Sequence, residues 1–165
     1  MNLKNKKALI IGIASERSIA AGIAKVFADN GAELALTYQN EKLKARVENI
    51  GNNLSKETLT YPCDLANDSS ISMLKDNIKD KWGSVDIIIH SAAYAPRELL
   101  SGDFVDNITR EGFQIAHDIS SYSFTALAKE FKEIINDKGS MLTLSYLGSE
   151  KVIKNYNIMG LAKAS

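Results

Sequence analysis

The sequence is poor in cysteine and histidine and carries no net charge, which excludes several classes of protein. Cys63 is the only cysteine in 165 residues, which excludes an internal disulfide framework and a cysteine-rich metal site. The two histidines, His90 and His117, lie far apart in the sequence, so we expect no metal. Twenty basic and twenty acidic residues cancel, and no net charge directs the chain toward nucleic acid or an anionic membrane.

Long hydrophobic runs are also missing. The N-terminal segment 1–7 leads into an apolar run over 8–13, which is too short for a signal-peptide core or a membrane span. We therefore predict a soluble, cytoplasmic protein that binds neither membranes nor nucleic acid. The length suggests a single domain over 1–165, and 45% hydrophobic residues suffice for a packed core.

Short apolar runs alternate along the chain with longer amphipathic segments. The first and fourth runs are apolar almost throughout, as expected for strands covered on both faces. This alternation predicts an α/β fold of the Rossmann type, a doubly wound parallel sheet. The predicted strands are 8–13, 33–38, 58–62, 85–90 and 140–145, and the predicted helices are 18–30, 41–54, 69–82 and 109–136.

Local signals predict where several helices begin and end. Asn30-Gly31 ends the first helix, Asp68-Ser69 caps the third, and Trp82-Gly83 closes it. The long fourth helix carries small residues that would allow another helix to approach closely. Its predicted stripe consists of Phe113, Ala116, Ile119, Ser123, Ala126, Leu127 and Phe131, with Ser120 and Ser121 among the small groups.

The segment from Tyr156 onward begins a further helix, but Ala164-Ser165 supplies no stop signal. A natural domain seldom ends inside a short helix, because isolated short helices are marginal in water. We therefore expect a C-terminally truncated chain and an incomplete sheet.

The first strand-to-helix turn places Gly12 at the strand exit and Ser18 at the start of the helix. A glycine there allows a ligand to approach the backbone, and free N–H groups at a helix start favour pyrophosphate. The G-x-G-x-x-G pattern is absent, since Ala14 and Glu16 or Arg17 occupy the later positions. A dinucleotide site and an ordinary tight turn with Ser18 as N-cap both remain open.

Polar or small residues follow the next three strands. Gln39 replaces the acidic residue usual for NAD, while Lys42 or Lys44 could pair with a 2′-phosphate. Asp64 could hold an adenine amino group or form an Asx turn. Small residues at 91–93 would let a ligand pass near the fourth strand, whose final His90 we interpret as structural. Cys63 has no evident base partner and is a poor candidate nucleophile.

The last third of the chain places Tyr146, Tyr156 and Lys163 within eighteen residues. A phenol can donate a hydrogen bond to a developing oxyanion, and a nearby ammonium can hold a ribose and supply positive potential. The pair Tyr156 and Lys163 alone is more typical of an exposed helix face. Because five strand–helix units bring these residues to the same sheet edge as the glycine turn, we predict a reductase site.

Several segments resemble the bacterial enoyl-acyl-carrier-protein reductases of type II fatty-acid synthesis, a divergent branch of the short-chain dehydrogenase/reductases. The resemblance covers 1–165 and departs at Ala92-Ala93 and Tyr94, where the family often has a bulkier residue, then glycine, then phenylalanine. The matching segments are 18–20, 37–40, 110–113, 117–124, 144–148 and 155–165.

The resemblance implies an NADH-dependent reduction of trans-2-enoyl thioesters on an acyl carrier protein, with NADPH a weaker alternative, by a homotetramer. It also implies further strands and a substrate-binding loop beyond the present chain. It assigns catalysis to Tyr146, Tyr156 and Lys163. The implied cofactor-binding residues are Gly12, Ser18, Ile19, Gln39, Asp64, Leu65, Ser91, Ala92, Ala93 and Lys163, and the implied substrate-binding residues are Tyr94, Ala95, Tyr146, Tyr156 and Met159.

Two other functions remain open at this point. A short-chain reductase of ketones or alcohols would share the fold, but the seven-residue interval between Tyr156 and Lys163 resembles the enoyl-reductase branch. A nucleotide-sensing or scaffolding module would keep the fold without turnover, and the presence of both side chains argues against it.

Overall fold

The computed structural model describes residues 2–165 as one five-stranded sheet with helices against both faces. The strand order is β3-β2-β1-β4-β5, and each neighbouring pair is parallel. The predicted α/β class is confirmed. The strands are β1 Lys7–Ile11, β2 Glu33–Tyr38, β3 Leu59–Pro62, β4 Val85–His90 and β5 Ile135–Thr143.

Helices connect the strands and pack on the two faces of the sheet. Residues 2–165 also form short turns of other helix types, which are the 3-10 turns Arg97–Leu100 and Leu147–Ser149 and the π-helical turn Asp118–Tyr122. The α-helices are α1 Ile19–Asp29, α2 Glu41–Leu54, α3 Asp68–Trp82, α4 Phe104–Asn107, α5 Arg110–His117, α6 Ser123–Phe131 and α7 Asn157–Ala164.

The sheet separates two hydrophobic cores. Successive strand residues point to opposite faces, so Leu9 and Ile11 pack with α3 and α6 while Ala8 and Ile10 pack with α1 and α2. These β1 side chains are at most 1% exposed. Burial on both faces explains why this strand is apolar from Ala8 to Ile11.

The helix ends agree with the predictions in part. Ser18 caps α1 by accepting a hydrogen bond from the Ala21 N–H at 3.2 Å, and Gly83 ends α3 with φ 74°. The predicted cap of α3 is wrong, because Asn67 rather than Asp68 is the N-cap and accepts from the Ser69 N–H at 2.9 Å. Asp68 instead lies in the first turn, where its charge still suits the helix dipole.

The single long helix predicted over 109–136 is also wrong. The π-helical turn separates α5 from α6, and α6 ends at Phe131. β5 begins at Ile135, and its pairing with β4 shifts from Val85↔Ile135 to Ile87↔Ser140. The polar segment between these two pairs bulges, and a strand bulge has no helical or alternating signature in the sequence.

Among residues 2–165, no helix is both long enough and apolar enough to span a membrane.

Candidate functional site

The strand order reverses between β1 and β4, and their carboxyl ends converge on a cleft. Open parallel sheets bind ligands at such a switch point. Gly12 follows β1 with φ +94°, and a Cβ at this position would lie 2.5 Å from the Ser91 carbonyl oxygen. A glycine is therefore required both for the backbone conformation and for the close approach of the two strand ends.

The cleft encloses a cavity of about 360 Å³. Most of the residues predicted for a cofactor line it, and they come from the carboxyl ends of four strands and the start of α1. The predicted residues that line it are Gly12, Ser18, Gln39, Asp64, Leu65, Ser91, Ala92, Ala93 and Tyr94. Ile13, Ala14, Thr37, Leu43, Cys63 and Ile119 line it as well and were not predicted as site residues.

The loop between β1 and α1 is held in place by hydrogen bonds at each end. The Ser18 hydroxyl donates to the Ser15 carbonyl at 2.7 Å while it also caps α1. Arg46 of α2 donates from Nη1 to the Ala14 carbonyl at 2.9 Å. This long-range bond joins α2 to one wall of the cleft, and sequence reasoning did not find it because the two residues are 32 positions apart.

Asp64 forms the predicted Asx turn, and its role in holding an adenine amino group stays a prediction. Its Oδ1 accepts from the Ala66 N–H at 3.2 Å, which is an Asx turn. The residue also lines the cavity. Its neighbour Cys63 is buried, and burial, followed by the charge of Asp64, raises the pKa of the thiol to about 12. The thiol is therefore protonated at neutral pH, consistent with its dismissal as a nucleophile.

The π-helical turn directs Ser120 toward the loop that follows β4. Its hydroxyl accepts from the Tyr94 N–H at 2.9 Å and donates to the Tyr94 carbonyl at 3.1 Å. The small residues Ser120, Ser121, Ser123 and Ala126, predicted to let another helix approach, do not form one exposed surface, because Ser120, Ser123 and Ala126 are at most 6% exposed within the chain. Ser120 fixes the cleft wall instead.

His90 is a satisfied structural group, as predicted. Its ring lies 2.9 Å from Thr143 Oγ1 through Nδ1 and 2.8 Å from Ser123 Oγ through Nε2. The Ser123 hydroxyl donates to the Ile119 carbonyl, so it accepts from Nε2–H and leaves Nδ1 to accept from Thr143. Burial, followed by the charge of Lys163, lowers the pKa of His90 to about 4 and keeps the ring neutral.

The two tyrosines lie beside one another at the carboxyl end of β5. The ring centroids of Tyr146 and Tyr156 are 4.9 Å apart and the rings are inclined by 58°. Tyr146 is 51% exposed, and Tyr156 is partly buried. Burial, followed by the proximity of Tyr146, raises the pKa of Tyr156, so its phenol keeps its proton at neutral pH and can donate a hydrogen bond.

Lys163 of α7 is hydrogen-bonded to the end of β5. Its Nζ donates to the Leu144 carbonyl at 2.6 Å, and the Ser145 hydroxyl donates to the Lys163 carbonyl at 3.2 Å. These two bonds join α7 to the end of β5. Burial lowers the pKa of the ammonium, and its charge still acts on His90, the residue before Ser91 of the cleft.

The family model described as enoyl-(acyl carrier protein) reductase matches residues 12–165. The chain belongs to this reductase family. The NADH enoyl-acyl-carrier-protein reductase of Salmonella typhimurium is 50% identical over 163 residues, which are 99% of this chain and 62% of that protein. The corresponding protein of Aquifex aeolicus is 49% identical over 164 residues, 99% of this chain and 60% of that protein.

Solved reductase structures share the fold. The crystal structure of the Aquifex aeolicus enzyme has a TM-score of 0.95 at 48% identity, with 99% of this chain and 70% of that chain covered. The Anaplasma phagocytophilum enzyme in complex with NAD has a TM-score of 0.94 at 40% identity, with 98% of this chain and 61% of that chain covered. The Bacillus cereus enzyme with NADP⁺ and indole naphthyridinone has a TM-score of 0.96 at 42% identity, with 100% of this chain and 65% of that chain covered. The chain spans about three fifths of the length of the curated relatives it matches.

Not every residue that the reductase resemblance assigned lies at the cleft. Ile19 is 70% exposed, while Ala95 and Met159 are each 7% exposed. The last two pack with Leu99 and Ala116 in a third apolar cluster beneath α7. Their assignments as cofactor-binding and substrate-binding residues stay predictions, and in this structure the cluster that contains Ala95 and Met159 packs against Tyr156.

Proposed function

We propose that the complete protein reduces trans-2-enoyl thioesters, carried on an acyl carrier protein, to saturated acyl thioesters in fatty-acid synthesis with NADH. The observation that carries this proposal is the protonated Tyr156 phenol beside Tyr146, at the same sheet edge as the glycine-lined cleft. Family membership and the reductase names of the relatives support it.

Two features of the cleft support a dinucleotide as its ligand. Gly12 lets the ends of β1 and β4 approach closely beside the cleft, and the capped start of α1 presents backbone N–H groups toward an anionic diphosphate. The residues proposed to hold the dinucleotide are Gly12, Ser18, Ile19, Gln39, Asp64, Leu65, Ser91, Ala92, Ala93 and Lys163. When bound, the nicotinamide supplies a hydride for C3 of the enoyl group.

We favour NADH over NADPH because Gln39, which lines the cavity after β2, carries no charge to pair with a 2′-phosphate. Lys42 and Lys44 on α2 are nearby and keep NADPH as an alternative. The two curated relatives named above are NADH enzymes and the Anaplasma relative is solved with NAD, whereas the Bacillus cereus relative is solved with NADP⁺.

The tyrosines act on the substrate side. Addition of hydride to C3 leaves an enolate, and the Tyr156 phenol donates a hydrogen bond to the enolate oxygen before C2 takes a proton. Lys163 orients the ribose and contributes positive potential. Tyr146 shapes the pocket together with Tyr94, Ala95 and Met159, the other proposed substrate-binding residues.

The test measures turnover of crotonyl thioester and acetoacetyl thioester by the complete protein, with NADH and then with NADPH. We expect reduction of the enoyl substrate, a preference for NADH, and little use of the ketone. Tyr156→Phe should lower kcat by about 100-fold and leave the dissociation constant of NADH nearly unchanged, because the phenol acts on the enolate alone. Preferential reduction of acetoacetyl thioester would contradict the proposal.

We also propose that residues 1–165 form a single dinucleotide-binding domain of a cytoplasmic homotetramer. Support comes from the outer side of the helical segment 110–122, where Phe113 and Tyr122 are 41% and 47% exposed. Light scattering of the complete protein at high concentration should give the mass of four subunits, and a monomer would contradict the assembly without affecting the chemistry.

A further inference from the structure

The Tyr156 ring packs against a turn of backbone that carries no side chain at the contact. Gly148 lies in the 3-10 turn Leu147–Ser149, and a Cβ at this glycine would lie 2.7 Å from Cε1 of Tyr156 and closer still to Cδ1. Gly148 does not have a positive φ. The requirement for glycine is therefore space for the ring and not an unusual backbone conformation.

A second glycine brings α7 onto the same turn. A Cβ on Gly160 would lie 2.9 Å from the Gly148 carbonyl oxygen and 3.8 Å from Cδ1 of Tyr156. The helix and the turn thus meet backbone to backbone, with the tyrosine ring beside the contact. A methyl group on Gly148 would displace the ring directly, whereas one on Gly160 would separate the helix from the turn by a few tenths of an ångström.

The backbone that carries Tyr156 is fixed independently of these glycines. Asn155 and Asn157 on either side of it have φ of 61° and 41°. The Asn157 side chain donates from Nδ2 to the Leu99 carbonyl at 3.2 Å, and the Tyr156 N–H donates to the Ile153 carbonyl at 3.1 Å. With the main chain held by these two bonds, and with Tyr156 itself in a right-handed conformation between the two asparagines, the direction of the ring is the freedom that remains.

We propose that Gly148 is a positioning residue for the reduction: its missing side chain sets the direction of the Tyr156 ring and so aims the phenol at the enolate oxygen. This inference rests on the proposed function. It assigns no contact with substrate to Gly148, which acts through the ring that lies on it. A displacement of about 1 Å in a reacting group can reduce turnover by up to 100-fold, so a single methyl group at this contact is expected to matter.

The test introduces Gly148→Ala into the complete protein and follows both ring position and turnover. With ¹³C-labelled tyrosine, the ring-carbon resonance of Tyr156 should move and its phenol pKa should change. In the enoyl-thioester assay, kcat should fall about tenfold or more while the dissociation constant of NADH stays within about twofold. Gly22→Ala in α1 is the matched control, because a Cβ there meets nothing within 4 Å.

A double-mutant cycle separates positioning from general disturbance of the fold. Phenylalanine keeps the ring but not the hydroxyl, so Gly148→Ala should cause no further loss of kcat in a Tyr156→Phe background. An equal loss in both backgrounds, or an unmoved Tyr156 resonance, would overturn the proposal. If Gly148→Ala does not fold, Gly160→Ala takes its place in the same cycle with an expected loss of a few fold. By contrast, wild-type turnover in the single variant Tyr156→Phe would contradict the proposed function itself. That measurement does not involve Gly148, so the two failures can be told apart.

Discussion

The cleft between β1 and β4 and the tyrosine segment, residues 145–163, are built in different ways. Buried strands form the floor of the cleft, and Ile11 and His90 at their ends are at most 1% exposed. In the tyrosine segment, Tyr146 and Leu147 are about half exposed and Val152 is fully exposed. The proposed cofactor side of the site is therefore fixed by the sheet, whereas the proposed reacting side is fixed by a turn, a short helix and two glycines.

This difference has consequences for stability and function. Regions with few buried apolar contacts open at a lower free energy than core strands. Substitutions at the cleft floor should lower stability and cofactor binding together, because the same atoms serve both. Substitutions in the tyrosine segment should lower turnover with a smaller effect on the free energy of unfolding.

The largest expected effect is that of Gly12→Ala. The alanine would need φ near +94° and would place its Cβ 2.5 Å from the Ser91 carbonyl oxygen. We expect a loss of roughly 3 kcal/mol in the free energy of unfolding and no measurable NADH binding, since the two strand ends must separate. Chemical denaturation and NADH titration of the complete protein check both.

The control for this variant is Gly22→Ala, which should leave binding unchanged and stabilise the protein by about 0.5–1 kcal/mol. If Gly12→Ala loses NADH binding but keeps its full free energy of unfolding, the cleft can be disturbed without disturbing the sheet. The cleft floor would then not combine stability and binding in the same atoms.

The next effect concerns pH and the ring of His90, which lies where the two regions meet. Its pKa is about 4 in the folded chain and 6.5 when unperturbed, so the unfolded chain binds a proton first as the pH falls. The stability that the neutral ring contributes is present above pH 6.5 and is lost progressively toward pH 4, at most about 3 kcal/mol.

Urea denaturation at pH 7 and pH 4.5 should therefore show a smaller pH-dependent loss in His90→Gln than in wild type. His117→Gln is the control, because His117 is less buried and stacks on Phe113 at the outer face. An identical pH dependence in wild type and His90→Gln would show that the buried ring does not govern acid stability.

The smallest effect is expected from Arg46→Met, which removes the bond from α2 to the Ala14 carbonyl. An exposed hydrogen bond contributes about 0.5–1 kcal/mol, so NADH should bind roughly 2–5-fold more weakly as the cleft wall loosens. Lys42→Met removes the same charge one helical turn away and should leave the affinity unchanged. Equal weakening of NADH binding in both variants would indicate that the lost positive charge, and not the bond to Ala14, is responsible.

Much of the fold and part of the site follow from local sequence patterns. The apolar runs and helical spacing predict the parallel sheet, because burial on both faces imposes a nearly continuous apolar strand. The strand ends then predict most of the cleft lining, since parallel strands end at one edge of the sheet. The patterns did not predict the π-helical turn, the bulge in β5, or the inward orientation of Ser120, Ser123 and Ala126.

The sequence by itself determined the fold class, the glycine turn after β1 and the family, and it predicted the roles proposed for Tyr146, Tyr156 and Lys163. Only the tertiary structure decided that Gly12 meets Ser91, that Arg46 reaches Ala14, and that the Tyr156 ring lies on Gly148. The physical reason is distance along the chain. Periodicity and caps arise from neighbours a few residues apart, whereas these contacts join segments that approach one another only after the sheet and its helices have packed.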